Sequence, residues 1–294
     1  MTLEQLRIFV AVAEREHVTR AAEALNLTQS AVSSAVSALE ARHATTLFDR
    51  IGRRIALTEA GRLFLVEARA VLARAAAAEA MLADLAGLKR GNLALAASQT
   101  VANYWLPPLL HRFRVAYPGV TLSLVIGNTE EVTAMIRDGS IDLGLVEGRV
   151  EDPALTIEPV AEDELVLVTN RDVAKTMKSK KLTPKDLKSL SWVFRERGSG
   201  TRAIFEAALE DMGLAPADLD ILLELPSNES VRAAVLDGAG ATALSRLVMA
   251  PLLAAGRLVA FDVDLPKRQF FALRHKERHV SEIERAFRAL IADE

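Results

Sequence analysis

Residues 28–39 hold a threonine, a glutamine and four serines, and no acidic residue. At helical spacing Gln29, Ser30, Ser33, Ser34 and Ser37 share one side, and Val32, Val36 and Leu39 share the other. A helix built this way packs its aliphatic side inward and leaves the polar side free. Short hydroxyls and one amide meet no repulsion from a phosphate backbone. Gln29 can pair with an adenine edge, and the serines can reach bases or phosphates. Thr28 precedes the pattern and can cap it, its oxygen taking a free N–H of the first turn. Just beyond, Arg50, Arg53 and Arg54 flank Gly52. A glycine turn studded with guanidinium groups suits a β-hairpin wing that grips phosphate. A plain solvated face and a solubilising charged loop are the alternatives.

A second set of residues points to a small anion. Ser98-Gln99-Thr100 follows a strand-like run and precedes a helical one. Hydroxyls and unpaired N–H groups at a helix start attract negative charge. Arg195-Glu196-Arg197-Gly198-Ser199-Gly200-Thr201-Arg202 has the same placement, and its glycines allow successive N–H groups to form a nest. Asn228 opens another helix after Leu225-Pro226. Each motif alone reads equally as a helix cap; facing one another across a cleft they would form a pocket.

Catalytic chemistry finds little support. The 294 residues include no cysteine, which removes thiol catalysis, disulfides and thiolate metal sites. His275 and His279 are four apart, but they straddle a strand end and a helix start. H-E-x-x-H and Walker motifs are absent, and Ser199 in G-S-G lacks the G-x-S-x-G elbow. We expect no enzyme activity, no catalytic residues, no bound metal and no cofactor.

These residues need elements to position them. Leu3, Leu6, Phe9, Val10 and Ala13 predict a first helix, Val18–Leu25 a second, broken at Asn26-Leu27, and Gln29–Arg42 a third. Helix, tight turn, helix places the later helix in a DNA major groove. From Thr58 to about Leu88, two apolar series recur every seven residues. One is Leu57, Phe64, Val71, Ala78 and Leu85; the other is Gly61, Ala68, Ala75 and Leu82. They form the seam of a heptad pattern, and a helix of such length usually pairs with a copy of itself. Strand and helix patterns then alternate in two α/β units, predicting two lobes with a cleft at the strand ends.

The expected fold is α/β: a winged helix-turn-helix over 1–57, a linker and dimerisation helix over 58–89, and a two-lobed effector-binding domain over 90–294. Its first lobe takes 90–162 and 266–294, and its second takes 163–265. The chain crosses near Ala161–Asp163 and returns near Leu265–Lys267. A net charge of −3 requires any DNA contact to be a local patch. The start of the chain reads as an amphipathic helix rather than a signal peptide, and no run is long and apolar enough for a membrane span. A cytoplasmic protein with no membrane partner is the expectation.

Over residues 2–61 the chain resembles the LysR-type regulators. The resemblance rests on Leu6–Phe9, Ala21-Ala22, Thr28–Ser33, Leu39-Glu40, Leu47–Arg50 and Leu57–Gly61, six elements at matched spacing. It implies a DNA-binding transcriptional regulator with a dimerising linker helix, acting as a homodimer or homotetramer on double-stranded DNA beside RNA polymerase. His43-Ala44 stands where that family usually has Leu-Gly, so a different cap geometry is expected there. Further on, Ser98–Pro107, Gly139–Gly148, Phe194–Arg202 and Ser227–Glu229 are similar to a subgroup that regulates carbon-fixation and sulfur-assimilation genes. That similarity implies an anionic effector: sulfite, another oxyanion, or a phosphorylated or carboxylic metabolite. It would bind at Ser98, Gln99, Thr100, Glu147, Arg195, Arg197, Ser199, Gly200, Thr201, Arg202 and Asn228. The rival class is a solute-binding or transport-associated two-lobed module.

Overall fold

The computed structural model describes residues 1–51, 54–85, 91–177, 179 and 181–293. They fall into two compact units, one reaching the end of the long helix and the other beginning at the strand that follows.

The first unit orders α1 (Leu3–Arg15), α2 (Val18–Leu25), α3 (Gln29–His43), β1 (Phe48–Ile51), β2 (Arg54–Leu57) and α4 (Glu59–Leu85). Side chains cap each of the first three helices. Thr2 and Gln5 form a reciprocal capping box, His17 Nδ1 accepts from Arg20 N, and Thr28 Oγ1 accepts from Ala31 N at 3.2 Å. Each helix ends on a non-glycine residue in the left-handed region, Glu16, Asn26 and Ala44. Ala44, at φ 49°, takes the left-handed geometry that glycine most readily adopts, although it carries a Cβ. Thr45 N reaching back to Glu40 O holds the turn in place.

Phe9 anchors this unit's core, with ring centroids 5.3 Å from Phe48 and 4.8 Å from Phe64. Leu6, Val12, Ala21, Ala22, Val32 and Leu39 close around it. Glu40 joins helix to hairpin by accepting the N–H groups of Leu47 and Phe48. Gly61 allows α4 to pass against the Leu47 carbonyl, a position a Cβ would occupy.

The heptad series divides. Leu57 is the last residue of β2, Phe64 and Ala68 pack into the core of their own unit, and Val71 and Leu82 are exposed. A seven-residue repeat looks the same whether it faces its own domain or a partner, so sequence could not separate these segments.

The second unit continues with β3 (Gly91–Ser98), a π-helical turn (Val101–Trp105), α5 (Leu106–Ala116), β4 (Val120–Gly127), α6 (Thr129–Arg137), β5 (Leu143–Glu147) and β6 (Leu155–Asn170). Then come α7 (Arg171–Thr176), α8 (Pro184–Lys188), β7 (Ser191–Arg195), α9 (Gly200–Asp211), β8 (Asp220–Leu225), α10 (Asn228–Asp237) and β9 (Ala241–Ser245). The unit closes with α11 (Arg246–Ala254), β10 (Leu258–Ala260), β11 (Lys267–His275) and α12 (Glu282–Ala292).

Its sheet runs β4-β3-β5-β11-β6-β9-β7-β8, with β10 beside β6. The outer pairs are parallel, as the alternating pattern predicts. The middle is antiparallel: β11 pairs with both β5 and β6, and β6 pairs with β9. These two long strands carry the chain between lobes, where sequence suggested only short crossings. Their antiparallel pairing makes the sheet mixed.

In the first lobe Leu93, Leu95, Leu106 and Phe113 form a core that Phe287 of α12 completes, its ring 5.1 Å from that of Phe113. In the second lobe Trp192, Phe194 and Phe205 stack together over Leu167 and Leu209.

Candidate DNA-reading face and anion cage

On α3 the buried residues are Val32 and Leu39, while Gln29, Ser30, Ser34 and Ser37 are exposed and Ser33 is half-buried. The Gln29 amide donates to Ser33 Oγ at 3.3 Å, and Thr28 Oγ1 lies 3.1 Å from Ser30 Oγ. These local bonds limit the rotamers of an exposed polar face. In the hairpin Arg50 pairs across from Ile55 and Arg54 from Ile51, so both are placed at backbone level on the two strands. Arg53 and Gly52, which the sequence singled out, lie outside the described residues.

The second unit brings most of the predicted anion-binding residues into one hydrogen-bonded cluster. Strand β3 ends at Ser98 and strand β5 ends at Glu147, so parallel pairing delivers both side chains to one sheet edge. The Glu147 carboxylate is 2% exposed. Ser98 Oγ donates to its Oε2, while Thr100 Oγ1 and Thr201 Oγ1 each lie 3.2 Å from its Oε1. Thr201 belongs to the opposite lobe, in the first turn of α9. Gly200 beside it packs directly on the Glu147 carbonyl, where a Cβ would clash.

Behind these hydroxyls stands an outer layer. Asn228 Nδ2 donates to Thr100 Oγ1 at 3.1 Å, and its Oδ1 accepts from Arg195 Nη1 at 2.5 Å. Arg268 Nη1 donates to Thr201 Oγ1 at 2.8 Å while its Nε donates to Asp163 at 2.7 Å. Gln99 spans the lobes, its amide donating to the Pro226 carbonyl and accepting from Asn228 N.

Other predicted residues stand aside from this cluster. Ser199 caps α9 by accepting from Arg202 N. Arg202 is engaged by Glu206, Glu224 and the Arg195 carbonyl. Burial works against its charge, and the two carboxylates more than offset that, leaving its pKa raised. Exposed Arg197 and buried Ser199 line a cleft of about 870 Å³ between α6 and α9, together with Arg137, Arg149 and Thr133.

Four residues escaped sequence reasoning. Thr129 Oγ1 donates to the Glu147 carbonyl at 2.6 Å, and it carried the same strand-then-helix signal as Ser98. Tyr104 donates to Glu229 across the lobes at 2.9 Å; burial first, then that bond, raises its pKa. Arg268 and Asp163 meet through strand pairing and had no local signal at all.

The comparisons agree with this architecture. A model for the bacterial regulatory helix-turn-helix protein of the lysR family matches residues 3–62, and one for the LysR substrate binding domain matches residues 86–294. The HTH-type transcriptional regulator CbbR of Rhodospirillum rubrum is 35% identical over 98% of this chain and 95% of its own. The fold is similar to that of full-length CbnR complexed with its target DNA, with a TM-score of 0.67, 23% identity, and coverage of 100% of this chain and 99% of that one. The regulatory domain of Synechocystis PCC6803 CcmR in complex with 2-PG aligns with a TM-score of 0.63 and 28% identity over 69% of this chain and 97% of that one. Among the described residues no helix is long and apolar enough to cross a membrane. With one family model on the helical unit and another on the lobed unit, the chain belongs to the LysR family of DNA-binding transcriptional regulators.

Proposed function

We propose that this regulator reads duplex DNA with the α3 face and answers to a small oxyanion, or to a phosphorylated or carboxylic metabolite, bound between its two lobes. Gln29, Ser30, Ser33, Ser34 and Ser37 meet base edges or nearby phosphates, Thr28 holds the helix start, and Arg50, Arg53 and Arg54 grip the strands. The effector is held by Ser98, Thr100 and Thr201, with Asn228, Arg195 and Gln99 behind them. Arg197, Ser199 and the glycine turn offer room for a larger ligand in the adjoining cleft.

The observation that carries this reading is the convergence of hydroxyls from both lobes on one buried point. A ligand there touches Ser98 and Thr100 on one side and Thr201 on the other, so its binding biases lobe closure. The Phe194–Arg202 and Ser98–Pro107 motifs support placement beside regulators of carbon fixation and sulfur assimilation. The 2-PG complex of CcmR is compatible with an anionic ligand.

The protein acts as a homodimer or homotetramer in the cytoplasm, contacts RNA polymerase, and catalyses no reaction. Two features support assembly. Leu63 and Leu82 of α4 are 66% and 68% exposed. The outermost strands β4 and β8 leave Val125, Ile126, Leu222 and Leu223 open to solvent. A transport module is disfavoured by the helix-turn-helix match.

Genome-wide footprinting of the full chain, with and without sulfite or a phosphorylated acid, tests the reading. Protected segments whose occupancy responds to one ligand, with the response lost in Thr100→Val and Thr201→Val variants that still bind DNA, are expected. No protected segment under any condition would reject it.

A further inference from the structure

We propose that Glu147 is a tethered competitor: its carboxylate fills the sensor's anion cage, and an incoming oxyanion must take the hydroxyl protons from it. This rests on the reading of the cage as the effector site and adds how that site is regulated.

Proton counting makes the case. A threonine hydroxyl has one proton to give. Thr100 Oγ1 already receives a hydrogen bond from Asn228 Nδ2. That amide cannot be reversed, because Arg195 donates to its oxygen. The Thr100 proton is therefore directed to Glu147 Oε1. Thr201 Oγ1 receives one from Arg268, whose guanidinium has no acceptor to offer in return, so its proton is also directed to Glu147 Oε1. Ser98 supplies the third, to Oε2.

For Thr100 and Thr201 the polarity is thus set from behind, by Arg195 acting through Asn228 and by Arg268 directly, and does not depend on Glu147. Such a cage selects acceptors and favours negative charge, and it rejects cations and donors. The site therefore prefers the same chemistry in its own side chain and in a free ligand. Ser98, Thr100, Thr201 and Asn228 are all almost fully buried, so no bulk water competes for their protons.

The main chain of Glu147 is fixed independently of its carboxylate. Its carbonyl accepts from Thr129 and abuts Gly200. Displacement in this scheme therefore proceeds by rotation about the side-chain bonds and leaves the strand in place. A carboxylate on so short a tether acts at a high effective concentration, on the order of millimolar or above. Free oxyanions must exceed it, which sets a threshold on the response. Displacement also removes the internal group that joins Ser98 and Thr100 to Thr201 across the lobes.

Removing the competitor should open the cage to a carboxylate supplied in solution. The test is thermal unfolding of full-length wild type and Glu147→Ala across a sodium acetate titration, with ionic strength held constant by chloride. A ligand bound only by the native state raises the melting temperature in a saturable way. The variant is expected to show such a rise, half-complete at roughly tenfold less acetate than the wild type needs. Adding Thr201→Val to Glu147→Ala should abolish it. Equal half-saturation in wild type and variant, a response matched by chloride alone, or a response that survives Thr201→Val would each overturn the proposal.

If Glu147→Ala does not fold, Glu147→Gln serves. Its amide has one acceptor oxygen for three donors, so acetate should again half-saturate at lower concentration than in the wild type. An unchanged value overturns the idea. Acetate rescue reads neither DNA binding nor effector response. A regulator whose effector binds elsewhere would still show it. An effector site here with no competing carboxylate would show equal half-saturation.

Discussion

Arg268 and Asp163 stand opposite each other in the register of the two crossover strands, β11 and β6, joined by an Nε–Oδ2 bond of 2.7 Å with both side chains 2% exposed. Ser245 Oγ also donates to this carboxylate, and Arg268 reaches forward to Thr201. The charge pair therefore lies at the junction of the lobes and behind the hydroxyl cage.

Breaking one side of a buried pair leaves the other charge desolvated and alone. Arg268→Met should lower unfolding free energy by about 3–5 kcal/mol, and the double variant with Asp163→Leu should recover much of that loss. Urea denaturation of the three proteins measures it. A single variant as stable as wild type would remove the pair from the structural argument.

Gln29 is held over the α3 face by Ser33 and is free to face bases. Gln29→Ala should cost roughly 1–3 kcal/mol at one base pair of the operator and relax preference there, leaving other positions unchanged. A binding-site selection performed on both proteins gives the answer. Identical selected motifs would exclude Gln29 as a reader.

Ala44 ends α3 at φ 49°, a region where a Cβ crowds the following carbonyl. Ala44→Gly should raise stability by about 1 kcal/mol with no effect on operator preference. Thermal or urea unfolding would show a higher midpoint. A lower one would mean that the turn is not left-handed in solution.

Glu284 in the first turn of α12 is buried, and burial pushes its carboxyl up to about 7. Arg274 and Arg288 oppose that rise, Asp142 adds to it, and Arg278 opposes it as well. A folded-state pKa above the unfolded value of 4.5 means that the folded chain holds this proton more tightly. The stabilisation is complete below pH 4.5 and is lost as pH climbs through about 7. Its full size is roughly 3 kcal/mol. Glu284→Gln should remove this component, so the variant gains on wild type as pH rises from about 4.5 to about 7 and keeps that gain above it. Parallel stability curves over that range would show that Glu284 does not titrate there.

Much of the DNA-reading face was legible because its signals are local. Thr28 as cap, the Gln29–Ser37 polar side and the Val32–Leu39 apolar side follow from neighbours three and four residues apart. The strand-end motifs around Ser98, Thr201 and Asn228 were visible for the same reason. Even so, their sequence reading allowed either a cap or a pocket. Ser199 proved to be a cap, whereas Ser98, Thr100 and Thr201 turn to one carboxylate.

By itself the sequence determined the first three helices, many of the strand-then-helix pairs of the lobed unit, and which short polar side chains stand at their ends, because capping and amphipathic periodicity act within a few residues; the long crossover strands β6 and β11 left no such local signal. Only the tertiary structure decided that Glu147 faces hydroxyls some 50 residues away on either side, and that Arg268 meets Asp163 and stands behind Thr201. Those contacts depend on the register of strands distant in the chain, and strand pairing is set by packing of the whole sheet rather than by any local pattern.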